Sequence, residues 1–148
     1  ELLQHYKAIE ERAILDLFAE LLGDFPKGRI VQGESPDFII RKRSKRSLGI
    51  ELTKIYLYPS IEDKKQKPYP RLLSKHLQPA IARKNDKIPL YNKRQLDELW
   101  LVLVAGFDES AAQFHHSNEL LNRTYDSRFH RVFLLDVLSK KLDELLIA

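Results

Sequence analysis

The spacing of apolar positions along this 148-residue chain changes several times, and each change predicts an element. From residue 2 to 22, Leu3, Ile14, Leu17, Phe18, Leu21 and Leu22 fall on one side at helical spacing. Gly23 is the expected stop. A short strand follows between Gly28 and Gly33, and a second runs from Phe38 to Arg43. Leu48 to Tyr56 reads as a core strand, because Ile50, Leu52, Ile55 and Tyr56 supply branched, aliphatic and aromatic bulk. Tyr58 to Pro70 is loop-like: Pro59, Pro68 and Pro70 break any helix, and Lys64, Lys65 and Lys67 keep it solvated. Leu72, Leu73, Leu77, Ile81 and Ile88 then mark a helix over Arg71 to Ile88, with a kink or break expected at Pro79. Leu99 to Ala105, ended by Gly106, is an unbroken apolar run of the kind buried on both faces inside a parallel sheet. Asp108 to about Asn122 reads as helix and Arg131 to Asp136 as strand; Lys141 to Ile147 suits either a hairpin partner or a short terminal helix.

That order predicts an α/β domain spanning residues 1–148. Its mixed β-sheet would be a three-strand meander plus a parallel crossover strand, flanked by α-helices. The strand–helix–strand unit should be right-handed. A chain 43% hydrophobic and 31% charged can bury a real core. No apolar run approaches the ~18 residues of a membrane span. The first residues do not form a basic segment before an apolar one, so no signal peptide is expected. Cysteine is absent, which excludes disulfides, thiolate nucleophiles and cysteine metal sites and suits a cytoplasmic protein.

The net charge of +4 is modest, and its placement carries more than its size. Arg41, Lys42, Arg43, Lys45 and Arg46 put five basic residues in a run of six, at the expected tip of a hairpin. Lys75, Arg83, Lys84 and Lys87 lie on the polar side of the 71–88 helix. Such runs are commonly solvated. Their functional reading is contact with the phosphate backbone of a nucleic acid, which makes affinity depend on salt.

Two carboxylates stand out. Glu51 lies inside the core strand, where burying a charge is costly unless something charged binds it. Asp37 sits where the preceding strand begins. If these strands are antiparallel neighbours, the two carboxylates converge as a hard divalent cation requires. Other uses stay open: Asp37 after Pro36 also suits a plain turn, and Glu51 could pair with a basic neighbour across the strands. Glu11 lies inside the apolar stripe of the first helix, and Glu10 nearer its edge.

The stretch 36–54 resembles the PD-(D/E)-x-K nuclease superfamily. Pro36-Asp37 is followed, after a hairpin-sized gap, by Glu51, with Thr53 where the motif usually has lysine and Lys54 one place later. The element order over roughly residues 8 to 105 resembles that superfamily's restriction-endonuclease-like core. The resemblance implies that Asp37 and Glu51, with the backbone carbonyl of Leu52, hold Mg²⁺ (or Mn²⁺), and that Glu11 completes the acidic cluster. It implies a hydrolase cutting nucleic-acid phosphodiesters, DNA first, with a homodimer among the arrangements such enzymes use.

The departure is at the lysine. Glu51 and Thr53 share one face of the strand, and Lys54 points to the other. Thr53 could serve in a reduced role with a cation from the following helix (Lys75, Lys84 or Lys87). A bulge could turn Lys54 inward. Or the site could be impaired, leaving a module that binds nucleic acid or a protein partner without cleavage. The first account is favoured, with Lys84 as the cation. The expected catalytic set is therefore Glu11, Asp37, Glu51, Thr53 and Lys84. Arg41, Lys42, Arg43, Lys45, Arg46 and Lys75 are expected to contact nucleic acid.

Other chemistries find less support. His115 and His116 are adjacent, so on a helix they point about 100° apart and make a poor metal pair. No glycine-rich phosphate loop or nucleophile elbow is present. Trp100 reads as core packing and not as a platform for stacked bases.

Overall fold

A computed structural model describes residues 2–56, 72–107 and 118–148. The expected loop 58–70 and the His115-His116 pair lie outside the described residues, as do Arg71 and most of the helix expected over 108–122.

The first helix, α1, spans Leu2–Leu21. Three strands follow as a meander: β1 (Arg29–Gln32), β2 (Phe38–Arg41) and β3 (Ser47–Lys54). Then come α2 (Ser74–Asn85), a short α3 (Ile88–Asn92) and the central strand β4 (Glu98–Ala105). A single turn, α4 (Asn118–Leu121), leads to β5 (Thr124–Tyr125) and β6 (Arg131–Asp136). The chain closes with β7 (Lys141–Glu144) and β8 (Leu146–Ile147). The main sheet has six strands in the order β1-β2-β3-β4-β6-β7, and β5 and β8 form a separate pair. Neighbours are antiparallel at β1/β2, β2/β3 and β6/β7, and parallel at β3/β4 and β4/β6. The fold is thus α/β, a mixed six-stranded sheet flanked by helices. No helix among the described residues is long and apolar enough to cross a membrane.

The sheet's two faces follow from the two-residue period of its strands. Leu48, Ile50 and Leu52 of β3, with Trp100, Val102 and Val104 of β4, pack towards α1, where Ile14, Leu15 and Phe18 are buried. Leu99, Leu101 and Leu103 pack towards α2 and α3, against Leu77, Ala80, Ile81 and Tyr91. Only the second half of α1 is covered. Leu3 is 80% exposed instead of joining the apolar stripe, because the helix has run past the sheet by that point.

The helix α2 is continuous through Pro79 and shows no break there. A proline at this position frees the carbonyl of Lys75. Both residues are on the exposed side, where such a carbonyl is open to solvent and its lost helix bond costs little. The break falls instead at Asp86-Lys87, and Pro89 lies in the first turn of α3, where a missing N–H costs nothing. The start of α2 is tied down from outside: Glu119 accepts from the Ser74 N–H and hydroxyl, each at 2.7 Å. At the C-terminus, 141–147 is the hairpin partner of β6 and not a helix, and its last residues pair with β5.

Candidate active site

The meander brings Asp37 and Glu51 together. In the β2/β3 register Phe38 stands opposite Ile50, so Asp37 falls beside Glu51. Gly49 permits the approach: a Cβ there would lie 2.9 Å from the Pro36 ring and 2.6 Å from Leu96. The Asp37 N–H donates to Glu51 Oε1 at 3.1 Å, and the Leu52 N–H donates to Asp37 Oδ2 at 2.8 Å. Asp37 is 7% and Glu51 5% exposed. Glu51 Oε2 accepts from Lys84 Nζ at 2.8 Å and from the Tyr91 hydroxyl at 2.9 Å. Glu51 therefore pairs with a cation from α2 and not with a cross-strand neighbour. Asp37 is no plain turn residue, since its carboxylate ties the start of β2 to β3.

Burial and then the neighbouring Glu51 carboxylate push the Asp37 carboxyl well above the usual range, to about 9. The Leu52 N–H opposes that rise, and contact with Glu11, including a side-chain hydrogen bond, adds a smaller part of it. Without a cation, the favoured form of this pair carries one proton. Burial and the Glu51 charge also raise the Tyr91 phenol, so it stays a donor through the ordinary pH range.

These groups line one cleft of about 440 Å³ at the C-terminal end of β3. From α1 come Lys7, Glu10, Glu11 and Ile14; from beyond β1, Glu34 and Ser35; from β3, Glu51 to Lys54; from α2 and α3, Lys84 and Tyr91, with Lys87 between them. Lys54 does point away from Thr53: it pairs with Glu10 and lies 4.6 Å over the Phe107 ring. There is no bulge at this point, as β3 and β4 stay in register from Leu48 to Lys54.

Among the described residues, no three His, Asp or Glu side chains converge as an all-protein metal cage. Magnesium does not need one. It takes one or two carboxylates, backbone carbonyls and its own waters. Two buried carboxyl groups that burial and their mutual repulsion leave holding a proton, which a cation would displace, are an all-oxygen donor set of that kind, so the residues fit.

Five expected site residues thus meet: Glu11, Asp37, Glu51, Thr53 and Lys84, with the Leu52 backbone between them. The expected nucleic-acid contacts lie elsewhere. Arg41 to Arg46 form the tip of the β2/β3 hairpin, beyond the opposite end of the strands. Arg41 is four residues from Asp37, roughly 13 Å along an extended strand. Lys75 borders a different hollow, beside Arg123 and Tyr125. Nine residues before Lys84, it lies about 14 Å away along the helix axis. The cations at the cleft itself are Lys7, Lys54, Lys84 and Lys87, the last two from the expected basic side of the 71–88 helix. Tyr91 was not expected. No spacing in the sequence signals it, because Lys84 and Tyr91 lie on separate helices, and it is the angle between α2 and α3 that brings both to Glu51.

No protein-family model, curated protein or solved structure matches the chain.

Proposed function

We propose that the protein is a metal-dependent nuclease with a restriction-endonuclease-like core, hydrolysing phosphodiester bonds of nucleic acid, DNA first. One observation carries this reading: two buried acidic residues on adjacent strands, joined by the Asp37 N–H bond to the Glu51 carboxylate, line one cleft with a lysine held on Glu51. Packing alone gives no reason to keep that arrangement, because burying unpaired charge costs stability.

Asp37, Glu51 and the Leu52 carbonyl would hold Mg²⁺ or Mn²⁺. Bound there, the ion would acidify a water and offset charge on the phosphodiester. The chain's own groups do the rest. The Leu52 N–H and Glu11 fix the Asp37 carboxyl. Tyr91 and Lys84 hold Glu51 Oε2, leaving Oε1 with a single donor among the described residues. Lys84 stands where the cation missing at Thr53 is needed. It orients the attacking water or stabilises the charge that develops on phosphorus-bound oxygen.

The test is incubation with plasmid and oligonucleotide DNA and RNA in Mg²⁺, Mn²⁺ or EDTA, beside Asp37→Asn and Glu51→Gln. Metal-dependent cleavage lost in both variants supports the reading. Salt-dependent binding without cleavage by the parent protein would sink it and leave a binding module on the same fold.

A further inference from the structure

Among the described residues, a second concentration of positive charge lies at the hairpin tip. Lys27, just before β1, and Arg29, its first residue, join Arg41, Lys42 and Arg43 around a hollow of about 720 Å³. No carboxylate among the described residues lines it. Among the described residues, none of these five cations forms an ion pair; Arg41 donates at 2.8 Å to the Ser47 hydroxyl. The tip itself is fixed by its backbone. The Lys42 N–H donates to the Arg46 carbonyl and the Lys45 N–H to the Lys42 carbonyl, both at 3.0 Å, with Lys45 in the left-handed region at φ 66°. Holding unpaired like charges together costs energy that a polyanion would offset.

We propose that this hollow anchors the sugar–phosphate backbone of the same nucleic acid whose phosphodiester enters the cleft, so that substrate length is read along β1. The proposal rests on the nuclease reading. The geometry behind it is the edge strand. β1 pairs only with β2 and is the outer strand of the sheet. Lys27 and Arg29 border the hollow at one end of β1, and Glu34 and Ser35 border the cleft just past the other. From Arg29 to Glu34 is five residues, roughly 17 Å of extended chain. At about 3.4 Å per nucleotide along one strand, that is about five nucleotides beyond the phosphate in the cleft. Arginine suits the task, since its fork binds phosphate oxygens in pairs. A membrane surface fits less well, because 41–46 contains no apolar residue to enter the headgroup region.

The test combines Arg29→Gln, Lys42→Gln and Arg43→Gln in one chain, with thermal unfolding matched to the parent. Binding is read by fluorescence anisotropy in EDTA, on a duplex of about 20 base pairs and on an oligonucleotide of about four nucleotides. The long duplex should bind roughly 10- to 100-fold more weakly to the variant near physiological salt, with the log–log salt slope reduced by about 2.7 for three lost cations. Cleavage in Mg²⁺ of the short oligonucleotide, which cannot span hollow and cleft, should not change. In Mg²⁺ the variant should lose its preference for long over short substrate. An unchanged slope and affinity would overturn the anchor, as would parent protein that prefers anionic vesicles to duplex and loses that preference in the variant. The two readings fail separately. Equal cleavage of both lengths by parent and variant removes the anchor and keeps the nuclease. Salt-dependent binding lost in the variant, with no cleavage by the parent, keeps the anchor and removes the nuclease.

Discussion

The two faces of β3 make the instructive contrast. Towards α1 it presents Leu48, Ile50 and Leu52, against the aromatic group of Phe18, Trp100 and Phe133. Phe18 meets Phe133 edge-on at 4.9 Å and Trp100 at 6.3 Å, and the Arg131 guanidinium caps the group 4.7 Å from the Trp100 ring. Towards α2 the same strand presents Gly49, Glu51 and Thr53. Its neighbour β4 is apolar on both faces. One strand thus gives up hydrophobic bulk on one side only, and that is the side where Glu51, Lys84 and Tyr91 gather, while Glu11 reaches Asp37 from the α1 side. The buried aromatic core under α1 and the chemistry are divided between the faces of β3, and substitutions on each should separate them.

The largest expected effect is on the chemical face. Asp37→Asn keeps the shape and removes a proposed ligand, and cleavage should fall about 10³-fold, equivalent to about 4 kcal/mol of transition-state stabilisation. Metal-free stability should move the other way. Asp37's carboxyl pKa is raised from 3.8 to about 9 by folding. Its favourable contribution is therefore complete below pH 3.8 and is lost as pH rises towards 9, since the folded state binds the extra proton in that window. Urea unfolding of the parent in EDTA should show stability falling from pH 5 to pH 9, and Asp37→Asn should flatten that fall. Added Mg²⁺ should flatten it in the parent and not in the variant. A parallel pH dependence in both proteins would mean that Asp37 titrates normally.

On the other face, Phe18→Ala removes a fully buried ring that three other aromatic rings touch. The expected loss is about 3–5 kcal/mol, read by urea unfolding at pH 7. The fraction still folded should cleave at the parent's rate. A drop in rate per folded molecule would show that the α1 face is coupled to the site, against the division drawn above.

This division explains what the sequence did and did not make legible. Glu51 within an apolar strand, and Asp37 opening the one before, announce the pair because a buried carboxylate is rare without a partner. The strands were legible for the same reason: the period of β3 and the unbroken run of β4 are set by local burial. The basic tip was legible both as charge and as a hairpin tip, but not its distance from the cleft, since charge order along a hairpin does not say which end of it meets the site. Pro79 misled because its penalty depends on whether the freed carbonyl reaches water, a property of the packed helix. Tyr91 was hidden because α2 and α3 are separate helices whose mutual angle no spacing rule supplies.

A smaller effect is expected at that tyrosine. Tyr91→Phe keeps the buried ring and deletes one donor to Glu51 Oε2, while Lys84 remains on the same oxygen. A hydrogen bond to a carboxylate is worth about 1.5–3 kcal/mol, and the retained lysine should hold the stability loss near the lower end. Cleavage should fall about tenfold through a less well-held Glu51. The raised phenol pKa predicts that the substitution leaves the pH–rate profile unchanged in shape. A profile that loses its alkaline limb would instead make Tyr91 a proton donor in the reaction.

The smallest effect should come from Lys54, and it decides between the two lysines. Lys54 follows Thr53 directly but alternates to the α1 side, where half-exposed Glu10 holds it. Its pairing with Glu10 raises its pKa despite partial burial, so the ammonium is committed to that carboxylate. An ion pair this exposed contributes at most about 1 kcal/mol, and Lys54→Gln should cost no more than that in urea unfolding. Its effect on cleavage should stay under about threefold, as expected of a cleft-wall charge that does not meet the reacting phosphate. Lys84→Gln, which leaves a buried Glu51 oxygen with Tyr91 alone, should lose at least about 10²-fold. The reverse order of losses would require Glu10 to release Lys54 into the cleft when substrate binds, and Glu10→Gln would then raise activity instead of leaving it unchanged.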